Sequence, residues 1–111
     1  MTKFDVIQKV LYRSLDKEKA INKSGSPAII KGSKNNKLSF IGIFVKNYKP
    51  GFEYNFIDEL VDMGALPAID DLSKLETVNL FIRLQTIHSI NKPEDWDISL
   101  AALAANYGEM N

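Results

Sequence analysis

Apolar residues recur at helical spacing near both ends of the chain, whereas near its middle they form an unbroken run, and this contrast sets the predicted elements. Phe4, Ile7, Val10, Leu11 and Leu15 follow a helical period behind Thr2, a residue type that caps helix N-termini, so an amphipathic opening helix is predicted. The breaker cluster Asn22-Lys23-Ser24-Gly25-Ser26-Pro27 ends it. Residues 28–31 read as a short strand. Residues 38–46, Leu-Ser-Phe-Ile-Gly-Ile-Phe-Val-Lys, read as a second strand that is apolar on both faces. Between them Gly32-Ser33-Lys34-Asn35-Asn36 supplies residues that tolerate positive φ, which predicts a β-hairpin.

Downstream the period is helical again. Lys49-Pro50-Gly51 forces a turn, with Gly51 allowing a sign change in φ. Asn55 then caps a helix whose Ile57, Leu60 and Val61 face inward and which Gly64 terminates. Residues 70–75 suggest a separate helical turn. From residue 76 to residue 90 the apolar positions Val78, Leu80, Phe81, Ile82, Leu84 and Ile87 cover most of the helix circumference, which places that helix at the centre of the domain. Pro93 breaks it, and Trp96, Leu100, Leu103 and Tyr107 define one face of a last helix that Gly108 closes.

The predicted class is therefore α+β: an N-terminal helix, a small antiparallel β-hairpin, then three or four helices packed as one layer. One domain spanning residues 1–111 is expected, with Phe4, Ile7, Leu11, Ile41, Ile43, Leu60, Phe81, Leu84, Trp96, Leu100 and Leu103 in its core.

Composition changes this picture in two places. The absence of cysteine excludes disulfides and thiolate metal sites, and no apolar run approaches the ~18 residues of a membrane span, so a soluble cytoplasmic protein is expected. The formal net charge of zero hides an asymmetry: residues 1–52 hold 11 Lys and Arg against 3 Asp and Glu, and residues 53–111 hold 3 against 11. Opposed halves of this kind attract each other within one domain or, head to tail, between copies in a homo-oligomer.

Candidate chemistry is sparse. His88 is the single histidine, and with Leu84, Gln85 and Ile87 around it on a helix it reads as a hydrogen-bonded core residue. No second ligand stands at i+4 from it, so no metal site is expected, and no cofactor or catalytic set is assigned. The acids Asp58, Glu59, Asp62, Asp70, Asp71, Asp95 and Asp97 fall mostly in first turns of helices, where the helix dipole accounts for them. Glu53, beside a Gly-containing turn, is the exception. The glycines are spaced singly and form no phosphate loop, and no serine lies in a Gly-x-Ser-x-Gly context. Lys31, Lys34, Lys37, Lys46 and Lys49 surround Asn35, Asn36 and Tyr48, giving the hairpin a basic surface able to meet phosphates as point charges, without the bidentate fork of Arg.

Gly42 in the apolar run, Tyr48, Pro50 and Glu53 in the turn, the Leu84-Gln85-x-x-His88 segment and Trp96 in the last helix together resemble a loosely defined family of small bacterial and bacteriophage proteins of unknown function. Relatives of that kind commonly carry Cys near the hairpin and an acid directly after the His. This chain has no Cys and has Ser89 there, so any chemistry resting on those groups is not expected in it. The resemblance implies a phage or mobile-element setting and no activity. The leading expectation is a non-catalytic protein that docks onto a host macromolecule, such as a defence or regulatory component, through Lys34, Lys37, Lys46, Tyr48, Lys49 and Glu53. The alternatives are a nucleotide or RNA binder working through the basic hairpin, and a small hydrolase or transferase using Glu53 and His88.

Overall fold

A computed structural model describes residues 1–108 and contains four α-helices: α1 Lys3–Arg13, α2 Ile57–Asp62, α3 Lys74–Ile90 and α4 Trp96–Asn106. They pack in the order α1 on α4, α4 on α3 and α3 on α2. Two of the helices start from reciprocal caps. Thr2 Oγ1 accepts the Asp5 N–H at 3.2 Å while Asp5 Oδ2 accepts the Thr2 N–H at 2.9 Å, and Ser73 and Glu76 repeat the arrangement at 3.1 and 3.0 Å. These N–H groups hold both acids below their ordinary carboxylate pKa. The separate turn expected at residues 70–75 is shorter, closing at Leu72 with its N–H on the Ile69 carbonyl at 3.2 Å, and Ser73 is already the cap of α3.

The α+β expectation is wrong: among the described residues there is no sheet. The two predicted strands share only one isolated antiparallel bridge, Lys31 with Leu38, and a second bridge, Ile21 with Pro27, lies before them. Where the second strand was expected to continue, the chain coils through a 3-10 turn, Gly42–Phe44. The physical reason is local. Ser39 donates from Oγ to the Ile29 carbonyl at 2.7 Å and accepts the Gly42 N–H at 2.9 Å, so a side chain takes groups that a strand ladder would have paired. The backbone at Gly42 also lies so close to the Ile30 carbonyl that a Cβ there would collide with it. The β-branched and aromatic composition of the run reports burial: Phe40 and Ile41 are fully buried and Phe44 nearly so.

Residues 14–56 contain no α-helix and no strand, yet they are held closely. Arg13, in the last turn of α1, gives Nε to the Leu38 carbonyl at 2.8 Å, Nη1 to Asp16 at 2.9 Å and Nη2 to Glu18 at 2.8 Å. Asn35 accepts the Ile21 and Lys37 N–H groups, both at 3.2 Å, and donates to the Lys19 carbonyl at 2.8 Å. A buried backbone must be paired somewhere, and here polar side chains supply the partners that a sheet would have supplied. Two asparagines take left-handed backbone, Asn36 with φ 57° and Asn47 with φ 53°. Gly51, predicted to do so, instead lies inside the 3-10 turn Pro50–Tyr54. Asn55 closes that turn rather than capping α2, which starts from Phe56 with its N–H on Glu59 Oε1 at 2.8 Å.

The core unites both parts of the chain. Val6, Val10, Ile30, Phe40, Ile41, Leu60, Leu80, Phe81, Leu84, Trp96 and Leu100 form one buried cluster. Of the expected core residues, Phe4, Leu11 and Ile43 are only half-buried, and Leu15, placed on the apolar period of the opening helix, is 71% exposed because α1 ends at Arg13. α3 is not buried all round either: Leu75, Ile82 and Ile90 are exposed. The opposed charges of the two halves meet inside one molecule, where Lys17 pairs with Asp97 at 3.1 Å, Lys3 with Asp71 at 3.7 Å and the Met1 ammonium with Asp70 at 2.8 Å. Such exposed pairs are screened by water and contribute little to stability.

Candidate functional site

The residues expected to bind have different contacts in the structure. Glu53 is a structural staple. Its Oε1 accepts the Ile30 N–H at 3.1 Å, and its Oε2 accepts the Lys31 N–H at 3.0 Å and the Tyr48 hydroxyl at 2.8 Å. The carboxylate thus joins the Pro50–Tyr54 turn to the chain opposite, with three donors already in place. Tyr48 is half-buried and its phenol is pushed up to about 12, by burial first and by the Glu53 hydrogen bond second. Lys31 Nζ stands 5.9 Å from the Tyr48 ring centroid. Tyr48 and Glu53 also line a cavity of about 530 Å³ with Lys31, Ser33, Asn36 and Tyr54.

Lys37 is ion-paired to Asp16 at 2.7 Å, a contact that raises the lysine's pKa and lowers the aspartate's. Lys46 donates its backbone N–H to the Ala65 carbonyl at 2.9 Å, which places it beside the end of α2. Lys34 and Lys49 are exposed. Of the six, Tyr48 and Glu53 are in direct hydrogen-bonded contact.

His88 is a core residue with 0% exposure. Its Nε2 accepts the Ala20 N–H at 3.1 Å, which fixes the ring proton on Nδ1, 3.5 Å from Ser89 Oγ. The ring stacks on Trp96 at 5.8 Å and meets Phe40 edge-on at 5.2 Å. Burial, reinforced by the charges of Arg13 and Lys19, pushes its pKa down to about 4. It is neutral at physiological pH and pins the irregular chain to α3. It does not meet Glu53, whose three partners are Ile30, Lys31 and Tyr48.

A different feature lay outside the expected residues. Leu75, Val78, Ile82 and Gln85 lie at steps of three, four and three along α3, so they form one stripe about 15 Å long at 1.5 Å per residue. That stripe is one wall of a groove of about 710 Å³, with Phe56 and Ile57 on the α2 side. The apolar groups stay in contact with water: Phe56 is 76% exposed, Leu75 70% and Ile82 43%. Asp58 and Asp62 stand on the rim, Asp62 paired with Lys74.

Gln85 is the polar residue of the stripe and is only 7% exposed. Its Nε2 donates to the Ala28 carbonyl at 2.9 Å and to Ser89 Oγ at 3.2 Å. The carbonyl of Ala28 fixes which end of the amide faces it, because only the NH₂ end can donate. Gln85 Oε1 is left buried without a hydrogen-bond partner among the described residues. In the sequence the apolar positions around α3 read as a buried circumference, not as the wall of a groove.

Among the described residues no three Cys, His, Asp or Glu side chains converge as a metal site, and no helix is long and apolar enough to cross a membrane. Comparison with protein-family profiles, curated proteins and solved structures gives no match to this chain.

Proposed function

We propose that this chain is a non-catalytic binding module that docks a partner protein in the groove between α2 and α3. The observation that carries the reading is the water-exposed apolar stripe of α3, facing Phe56 across a concavity of about 710 Å³. A contiguous exposed apolar surface of this kind is costly in water, and concave apolar sites with few polar groups are where ligands and partner segments bind. The setting proposed is the one the resemblance implies, a bacterial or phage cytosol with a host protein as partner. Glu53 and Tyr48 are assigned to holding the fold that presents the groove.

The test is affinity capture from bacterial lysate, comparing the parent with the double variant Leu75→Lys, Ile82→Lys, each with and without nuclease. Both positions are exposed, so the variant is expected to fold. The expected result is a protein retained by the parent, lost by the variant and indifferent to nuclease. Retention by both proteins rejects the groove. Loss on nuclease treatment moves the function to nucleic-acid binding through the lysine-bearing side.

A further inference from the structure

We infer that the groove between α2 and α3 takes a tryptophan side chain carried on a basic segment of the partner protein, an inference that rests on the docking reading above. The stripe Leu75, Val78, Ile82 presents apolar surface, and beside it Gln85 holds one buried acceptor, Oε1, that nothing in the fold satisfies. Its donor end is already engaged by Ala28 and Ser89, so what the Gln85 amide still lacks is a donor from outside. The group that complements it is broad, apolar and equipped with a single N–H and no acceptor.

Among side chains the indole is that group. Phenylalanine fills such a groove but leaves the acceptor unmet. The cations of Lys and Arg bring charge and several donors into an apolar wall, where all but one stay unpaired. Because Oε1 is closed to solvent, seating the ring edge against it requires the Ile82 side chain, one turn before Gln85 on α3 and 43% exposed, to move aside. The rim sets the flanking charge. Asp58 lines the groove and makes no ion pair among the described residues, and Asp62 holds only Lys74, so acids border the site with one cation against them. A segment with Lys or Arg beside its tryptophan is complementary to that rim.

The experiment is an NMR titration of the full chain, labelled with nitrogen-15, using three synthetic peptides. They are acetyl-Lys-Leu-Trp-Lys-Leu-amide, its analogue with 1-methyltryptophan, whose ring nitrogen cannot donate, and its analogue with Phe. The expected result is movement of the Gln85 side-chain amide and of backbone signals in α2 and α3, with affinity about tenfold lower for the methylated and Phe peptides. Asp58→Lys is expected to weaken the Trp peptide several-fold, and Ile82→Lys to abolish its binding with the rest of the spectrum unchanged. Gln85→Leu removes the acceptor and erases the difference between the Trp and methylated peptides. If that variant fails to fold, the peptide pair alone decides. Equal affinity for Trp and 1-methyltryptophan overturns the indole assignment while leaving groove docking intact. Signal changes confined to other surfaces, or none at millimolar peptide, overturn the indole assignment too, and the lysate comparison then judges the docking reading separately.

Discussion

α3 and the irregular chain between α1 and α2 lie against the same core but satisfy their backbones in different ways. Within α3 each interior N–H finds its carbonyl four residues back, and side chains are free to serve packing on one face and the groove on another. Between residues 14 and 56 scattered backbone bonds, such as Ala28 N–H to the Ala20 carbonyl and Ser39 N–H to the Ile30 carbonyl, are supplemented by single side chains: Arg13, Asn35, Ser39 and Glu53, with His88 and Gln85 reaching across from α3. A helix therefore tolerates the loss of any one polar residue, whereas the irregular chain depends on each. The difference predicts two kinds of damage, global where apolar packing is lost and local where a staple is lost.

The largest effect should come from Leu84→Ala, which removes a fully buried side chain from the cluster shared by both regions. A loss of about 2–5 kcal/mol is expected, a large share of the stability of a domain this size. Circular dichroism and amide exchange should report one transition in which the helices and the irregular chain melt together. If the helices melt first and leave the irregular chain protected, the shared core is the wrong picture.

His88 should give the next effect, and it acts through pH. Its folded pKa, about 4, lies below the ~6.5 of an unfolded histidine, so the unfolded chain takes up the proton more readily. The stability it carries is complete above about pH 6.5 and is lost as pH falls toward 4, by up to about 3 kcal/mol. The depressed carboxyls of Asp5, Asp16 and Glu76 extend the loss to still lower pH. Denaturant titrations across that window should show the slope in the parent and a flatter profile in His88→Gln. An imidazole titrating at or above 6.5 by NMR would contradict the buried neutral ring.

Glu53→Gln is expected to cost less, about 1–3 kcal/mol, because one acceptor is replaced by an amide group that faces three donors. Exchange at the Ile30 and Lys31 amides should quicken while that of α3 and α4 stays slow. The Tyr48 phenol should fall only part of the way from about 12 toward 10, since burial is the larger cause of its shift. The smallest effect belongs to Lys34→Glu with Lys49→Glu, two exposed side chains whose replacement should change stability by no more than about 0.5 kcal/mol. A melting temperature that falls sharply in this pair would mean that the lysines hold the loop.

What the sequence made legible follows the same division. The helices announced themselves because period, cap and terminator agree: Thr2 opens α1, Gly64 and Gly108 carry positive φ after α2 and α4, and Trp96, Leu100 and Leu103 are buried as one face. The hairpin failed because β-branched and aromatic residues mark burial as readily as strand, and nothing in the pattern of residues 38–46 shows that Ser39 would take the backbone groups. Glu53 was singled out from its turn, but its three partners are set by contacts 5, 22 and 23 residues away. The groove was hidden for another reason. An apolar residue at position 82 looks the same whether it faces a core or a vacant wall, and only the placement of α2 tells which.

Gly42 gives the irregular region a boundary of a different sort, between a globule and a fibril. It is the residue that interrupts Phe40-Ile41-Gly42-Ile43-Phe44-Val45, a segment otherwise rich in β-formers, free of proline and without charge. In the folded chain a Cβ at this position meets the Ile30 carbonyl, so Gly42→Val at once weakens the turn and completes a six-residue steric-zipper sequence. Dye-binding aggregation kinetics should then accelerate in that variant, while Ile43→Val, which leaves the bare α-carbon in place, should keep the parent's lag. One hydrogen atom in place of a side chain decides which of two assemblies this stretch of chain belongs to.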